Sequence, residues 1–480
     1  MRAIITPHCF AGTVRVPASK SHTIRRLLIA ALAEGVSEIE YPLDSLDARS
    51  CVSVCRALGV EITEHRAMDA QCPNPSDEAG RKLIRWTVKG VGPKVRRLEV
   101  CGAGSAGHTL ARPAAPLDVG NSGTTLFLAL AAAALGTEPV TFTGDEQIRR
   151  RSALPLLEAL AGLGIAVESA DRGCAPITVR GPWRGGRVSL PCPTSQYLSA
   201  LLLAAPLAPA GTITEIDVPL LNEKPYIELT LSYLDAQGSR PLYETNADFS
   251  EFRIPGGAAY KPMNGPVSGD FSSAAFPACA AAISGGTVTL LGLDPADHQG
   301  DKAVFDVLKQ MGCDVTWTRR PSGGVLQTSG PAAQAECTGW ELTVSRSGPL
   351  YGCTLDLNAT PDLLPVIAAV AAFAEGETAL VNVAHARIKE TDRIAVMAAE
   401  LGKLGADIEE RPDGLIIRGK ADGGPALRGG PVAGHGDHRV VMALAAAALG
   451  AAGPVEIDSA ESAGVTYPGF LELLSAGILE

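Results

Sequence analysis

The sequence predicts an α/β protein assembled from six copies of one unit, and three observations carry that prediction. Six segments share one grammar: a short polar cluster, an Ala/Leu-rich helix, a glycine-containing break and a β-branched run. Each then continues into a second amphipathic helix that ends near a glycine. Counted from Ser19, Asn121, Ser195, Asp270, Asp362 and Asp437, that glycine lies 40, 43, 43, 42, 43 and 40 residues on, at Gly59, Gly164, Gly238, Gly312, Gly405 and Gly477. Chance similarity does not hold such a register six times. Two domains of three units each is the simplest arrangement.

Taken in order, the units open with "SKSHTIRRLLIAALAEGVSEI" from Ser19, "GNSGTTLFLALAAAALGTEPVTF" from Gly120 and "TSQYLSALLLAAPLAPAGTITEI" from Thr194. The others open with "GDFSSAAFPACAAAISGGTVTLLG" from Gly269, "TPDLLPVIAAVAAFAEGETALVNV" from Thr360 and "GDHRVVMALAAAALGAAGPVEI" from Gly436. The first helix of each unit is nearly all apolar, which predicts full burial. Two connections are long, Arg66 to Leu117 and Trp317 to Gly348; rich in Gly, Pro and charge, they read as hairpin or loop insertions. "RIPGGAAYKPMNGPVSGD", from Arg253 to Asp270, is the best passage between domains.

Composition excludes several function classes. With 46% hydrophobic and 19% charged residues the chain buries large cores and is not disordered. A net charge of −11 argues against a nucleic-acid or anionic-membrane surface. The opening "MRAIITPHCF" has no apolar stretch of the secretory kind, and runs such as Leu126 to Leu135 are too short to span a bilayer. Eleven cysteines without a paired framework suit a reducing cytoplasm. Cys51 and Cys55, and the "HGDH" of His435 and His438, lack the further ligands a metal site needs.

Any anion site must therefore be a local concentration of cations. Lys20, Arg25 and Arg26 crowd the start of the first helix, where the macrodipole already favours negative charge. Similar polar groups open the other five helices: Asn121/Ser122, Ser195/Gln196, Asp270/Ser272, Asp362, and Asp437/His438/Arg439. N-capping is one reading of Ser122, Asp270 and Asp437, an anion-facing role the other, but capping does not explain Lys20, Arg25, Gln196 or Arg439. Six helix N termini aimed at one cleft would make it an anion trap. The other informative stretch is "HARIKETDRIAVMAAELGKLGADI", His385 to Ile408, in which Arg387, Lys389, Glu390, Asp392 and Arg393 fall within seven positions. It reads either as a solvated helix start capped by Thr391, or as a site in which Glu390 and Asp362 serve as acid and base beside phosphate-holding cations.

Together "SKSHTIRRLLIAALA", "GNSGTT", "TSQYLSALLLAAPLA", "KPYIELT", "GDFSSAAF", "PDLLPVIAAVAAFAEGET", "RIKETDRI" and "GDHRVVMAL" resemble the 5-enolpyruvylshikimate-3-phosphate synthase family, in the family's order and over nearly the whole chain. The resemblance implies a two-domain inverse α/β barrel of six βαβαββ repeats. Residues 1–19 plus 268–480 would form one domain and residues 20–267 the other. It implies transfer of enolpyruvyl from phosphoenolpyruvate to the 5-hydroxyl of shikimate 3-phosphate, a step of chorismate and aromatic amino acid biosynthesis, needing no metal or organic cofactor. A monomer is expected, and the cytoplasmic expectation rests on the absent targeting signals and the cysteine usage alone. Lys20, Ser21 and Arg25 match the family's substrate-anion residues, and Lys20 also counts as catalytic. Asn121 and Gly123 match its "GNSGTT" substrate contacts, Thr194, Ser195 and Gln196 its sugar-phosphate triplet, and Tyr226 the tyrosine of "KPY". Asp362 matches the base that takes the 5-hydroxyl proton, Lys389 a shikimate-phosphate contact, and Glu390 the acid that protonates the methylene carbon. Arg393 and Arg439 match the clamps on phosphoenolpyruvate, for which planar bidentate donors are suited.

The chain departs from the pattern at Phe127, Gln147 and Val465, where the family has cations, and at Ser152, Glu223 and His385, where it has proline, serine and asparagine. Arg149 or Arg150 would replace the charge missing at Gln147. Two other readings follow from the departures: a carboxyvinyl transferase for another acceptor, motivated by Glu223 and His385, and a non-catalytic ligand-binding relative, motivated by Phe127 and Val465.

Overall fold

The computed structural model describes residues 1–68, 81–92, 110–238, 241–320, 338–419, 427–475 and 478–479. Gly477 and the central parts of both long connections lie outside them. The contacts divide the chain into two compact units, Met1–Ser19 with Ser268–Glu480, and Lys20–Val267. The Gly/Pro-rich passage thus spans the second of two crossings, between Val267 and Ser268.

Within Lys20–Val267 one strand grammar recurs in three four-stranded sheets. A lead strand pairs parallel with the strand after the buried helix. That strand pairs antiparallel with the last strand, which pairs antiparallel with the third. Leu117–Asp118, Val140–Thr143, Cys174–Arg180 and Ala166–Ala170 follow it. So do Gly186–Ser189, Ile213–Asp217, Glu251–Pro255 and Glu244–Thr245. In the remaining sheet the lead strand is Gly265–Pro266, paired with Val36–Glu40 from the far end of the unit. The arms Glu61–Met68 and Arg81–Lys89 complete it as an antiparallel hairpin, so the first long connection begins as extended strands.

The other unit repeats this order in Ala11–Arg15, Thr287–Leu291, Trp340–Ser345 and Asp314–Arg319. It recurs in Leu350–Tyr351 and Thr354–Asp356 beside Ala374–Val381, Gly414–Gly419 and Asp407–Arg411. A smaller sheet joins Gly430–Val432, Val455–Ile457 and Ala3–Ile5.

The apolar helices form the cores because they carry no solvated face. Every residue of Gly123–Ala133, Leu364–Ala371 and His438–Ala448 is buried. In Lys20–Leu32 burial begins at Thr23, which leaves the basic first turn partly accessible. The repeat glycines have a backbone reason. Gly59, Gly164, Gly312 and Gly405 adopt φ between 89° and 102°, and the next N–H reaches back to a carbonyl in the helix. These bonds are Val60 to Cys55 at 3.1 Å, Ile165 to Leu160 at 3.1 Å, Cys313 to Leu308 at 2.8 Å and Ala406 to Leu401 at 3.1 Å. This Schellman closure needs a residue that tolerates positive φ. Gly238 differs: it ends its helix extended, at φ −112°. Among the described residues no helix is long and apolar enough to cross a membrane.

Candidate functional site

In the unit containing residues 268–480, the charge cluster is organised around Arg393, the first residue of the helix Arg393–Lys403 and only 1% exposed in its side chain. Its Nη1 donates to Asp362 Oδ1 at 2.7 Å, its Nη2 to Glu390 Oε2 at 2.6 Å, and its Nε to Asp437 Oδ2 at 2.8 Å. The helix is capped by Asp392, which accepts from the Ala395 N–H at 3.0 Å. Thr391, the cap expected from the sequence, instead donates to Asp437 Oδ2 at 3.0 Å. Asp437 caps the helix His438–Ala448 through the Arg439 N–H at 2.9 Å. Of the three caps expected on the apolar helices, Ser122 and Asp437 accept from their helix N–H groups. Asp270 does not: its carboxylate accepts from Ser273 Oγ at 2.7 Å, and Gln299 Oε1 takes the Phe271 N–H at 3.1 Å.

Asp362 lies in the turn Pro361–Leu363 ahead of a buried helix and is shared by two guanidinium groups, since Arg439 Nη2 is 2.8 Å from its Oδ2. Burial alone would raise its pKa, but Arg439, Lys389 and Arg393 together hold it well below the usual carboxylate range. Asp437 is likewise pushed up by burial and brought down overall by Arg393. Burial lowers and the facing carboxylates raise the Arg393 pKa, and the carboxylates prevail. Asp362, Glu390, Arg393 and Arg439 therefore belong to one network, with Lys389 adding its charge.

Sequence reasoning missed Asp301. It is fully buried, touches Ser272 Oγ through a hydrogen bond, and lies 4.0 Å from Arg439 Nη1. Burial first, and then the charge of Asp362, push its pKa up to about 7. No motif marks it. Only its place just before a helix in "HQGDKAVF" sets it apart.

In Lys20–Val267 the cluster is built mainly from hydroxyls. Arg25 is 2% exposed and donates to Thr230 Oγ1 at 2.9 Å, Ser199 Oγ at 3.3 Å, and the backbone carbonyls of Ser21 at 3.3 Å and Tyr226 at 3.5 Å. All four partners are neutral, and burial lowers the Arg25 pKa to about 10 despite the opposing influence of Tyr233, Tyr226 and Glu223. Lys20 pairs with Asp47 at 3.2 Å, a partner the sequence did not point to. Thr194 Oγ1, Ser195 N and Ser195 Oγ all donate to Glu223 Oε2, at 3.1, 2.9 and 2.7 Å. Gln196 Nε2 donates to Thr124 Oγ1 at 3.0 Å. Tyr226 enters these contacts through its carbonyl. His385, by contrast, is buried with its ring 3.1 Å from the Asn358 carbonyl oxygen.

The departures from the family pattern acquire local reasons. Phe127 is buried edge-on to Tyr197, with centroids 5.0 Å apart, and the Tyr197 hydroxyl donates to the Ser152 carbonyl at 2.5 Å. Asn121 Nδ2 donates to Asp145 Oδ2 at 2.6 Å and to Gln147 Oε1 at 2.7 Å. Arg149 and Arg150 are exposed, and Arg150 is paired with Glu146. The member of the run that approaches the Gly123–Ala133 helix start is Arg151: a Cβ at Gly123 would lie 2.4 Å from its Nη1. Gly123 thus makes room for a cation.

Comparison with known proteins adds an independent line. The family model described as EPSP synthase (3-phosphoshikimate 1-carboxyvinyltransferase) matches residues 5–82 and 88–474. A 3-phosphoshikimate 1-carboxyvinyltransferase of Acetivibrio thermocellus is 44% identical over 468 residues, 97% of this chain and 95% of that one. One from Halobacterium salinarum is 39% identical, covering 99% and 98%. The solved EPSP synthase of Acinetobacter baumannii superposes with a TM-score of 0.73 at 28% identity, over 99% of this chain and 98% of that one.

Proposed function

The chain belongs to the EPSP synthase family, and we propose that it acts as a 3-phosphoshikimate 1-carboxyvinyltransferase, moving the enolpyruvyl group of phosphoenolpyruvate onto the 5-hydroxyl of shikimate 3-phosphate. The observation that carries the chemistry is the pairing of Asp362 and Glu390 on one guanidinium, at 2.7 and 2.6 Å, with Arg439 on the far oxygen of Asp362. Two carboxyl groups for acid and base work then sit beside two planar clamps for an anion.

In this reading the 5-hydroxyl oxygen adds to C2 of phosphoenolpyruvate as its proton passes to Asp362. Glu390 delivers a proton to C3, making it a methyl group. Loss of a methyl proton and departure of phosphate from C2 then restore the double bond. Asp362 is a weak base while Arg439, Lys389 and Arg393 hold it down. Phosphoenolpyruvate, by drawing those cations onto its own carboxylate and phosphate, would return basicity to Asp362 when the donor is in place. Arg25, Ser195, Thr194 and Gln196, with Lys20, Ser21, Asn121 and Tyr226, are assigned to the acceptor side. A buried guanidinium whose hydrogen-bond partners among the described residues are neutral supports that assignment, because a bound phosphate would add a charged partner.

We read the two contact units as the two domains, and the shared strand order of their sheets as repeats of a βαβαββ unit in an inverse α/β barrel pair. The proton to C3 gives a direct test. Turnover in D2O should place deuterium in the methylene group of the product, detected by mass spectrometry, and Glu390→Gln should abolish both exchange and turnover. Product formed by Glu390→Gln at the wild-type rate would refute the assignment.

A further inference from the structure

Glu223 stands where the family pattern has serine, immediately before "KPY". Its carboxylate does not point to solvent. It is 4% exposed, and a single oxygen accepts three hydrogen bonds, from Thr194 Oγ1 at 3.1 Å, Ser195 N at 2.9 Å and Ser195 Oγ at 2.7 Å. Two of the three residues of the acceptor-phosphate triplet are thereby already engaged by an anion belonging to the chain. Converging hydroxyl and amide donors of this kind suit one anionic group. A phosphate and a carboxylate cannot share them, since both are acceptors and both are negative. The backbone at Glu223 is also in the left-handed region, at φ 59°, which a residue with a Cβ adopts at a cost.

We propose that Glu223 is an internal anion that fills the acceptor's phosphate pocket in the free protein and must leave it when a phosphorylated acceptor binds, which makes it an affinity- and specificity-determining residue. The inference rests on reading Thr194 and Ser195 as acceptor contacts. Extracting the carboxylate subtracts from the affinity for the phosphorylated acceptor, because only the fraction of molecules with an open pocket can bind it. An acceptor without the phosphate leaves Glu223 in place and bears no such loss. A serine at this position would add a donor instead of a competing charge.

The test is calorimetric titration of shikimate 3-phosphate, and separately of unphosphorylated shikimate, into wild type, Glu223→Ser, Glu223→Gln and Ser195→Ala. Both Glu223 variants should bind shikimate 3-phosphate about tenfold more tightly or better, with no matching gain for shikimate. Equal or weaker binding of shikimate 3-phosphate by a variant that keeps the wild-type melting temperature would overturn the proposal, as would an equal gain for shikimate. Were neither variant to fold, wild type labelled with 13C-carboxyl glutamate decides. A Glu223 resonance that shifts with shikimate 3-phosphate but not with shikimate supports displacement, and an unmoved one overturns it. Weaker binding in Ser195→Ala with no gain at Glu223 would remove this inference alone. If no form of the protein bound shikimate 3-phosphate, the functional reading would fall with it.

Discussion

The two clusters solve the burial of an arginine in opposite ways. Arg393 is buried against three carboxylates, Asp362, Glu390 and Asp437, and its charge is compensated within the unit. Arg25 is buried almost as completely, but its hydrogen bonds go to hydroxyls and carbonyls, and Glu223, whose carboxylate accepts from Ser195, reaches it through charge alone. A compensated guanidinium contributes to folding and yields to a ligand only by exchange of partners. One whose hydrogen bonds go to neutral groups is tolerated by the fold and gains most from an incoming anion. The first arrangement suits chemistry that needs a base kept quiet until its donor arrives, and the second suits recognition.

That contrast can be broken most forcefully at Arg393. Arg393→Met should cost about 3–5 kcal/mol in urea unfolding, because it strands buried carboxylates. Arg25→Met should change stability by about 1 kcal/mol or less, since it removes a desolvated charge together with modest hydrogen bonds. It should nevertheless weaken shikimate 3-phosphate binding about tenfold to a hundredfold. Equal stability losses in the two variants would erase the distinction.

Acidity sharpens the comparison further. Asp362 and Asp437 have lowered pKa values in the folded protein, so their contribution is present above the unfolded carboxylate value and is lost as pH falls below about 4. Asp301 runs the other way. With its pKa raised to about 7, its contribution is fully present below the unfolded value and declines as pH rises through neutrality. Asp301→Asn should therefore raise the melting temperature at pH 8 by about 2 °C or more, and leave it unchanged near pH 4. A parallel shift at both pH values would contradict the assignment. Within the Arg393 cluster the smallest effect is expected at Thr391→Val, which removes one hydroxyl from Asp437 and should cost about 1 kcal/mol in urea unfolding.

Much of this was legible in the sequence, for identifiable reasons. The α/β class and the helix ends could be read because apolar helices and positive-φ glycines leave local signatures, as at Gly59 and Gly405. Arg393, Asp362 and Glu390 could be named because each lies in a distinctive motif. Asp362 and Glu390 could also be paired as acid and base, but Arg393 as the guanidinium they share could not, because its contact with Asp362 joins residues 31 positions apart. Asp301 and Asp47 escaped because a buried carboxylate carries no local pattern, only a partner supplied by the fold. Glu223 was visible as a substitution, but its placement on Ser195 depends on a contact 28 residues away. Phe127, standing where the family has a cation, is a core aromatic packed on Tyr197, a contact the sequence did not show.

Asp362 and Glu390 are proposed to form the working acid–base pair of an enolpyruvyl transfer. Phosphate release from purified protein, given shikimate 3-phosphate and phosphoenolpyruvate, tests it most directly, with Asp362→Asn and Glu390→Gln measured alongside. Release should require both substrates and fall at least about a hundredfold in each variant. Near-wild-type release in either variant, or release without the acceptor, would contradict it.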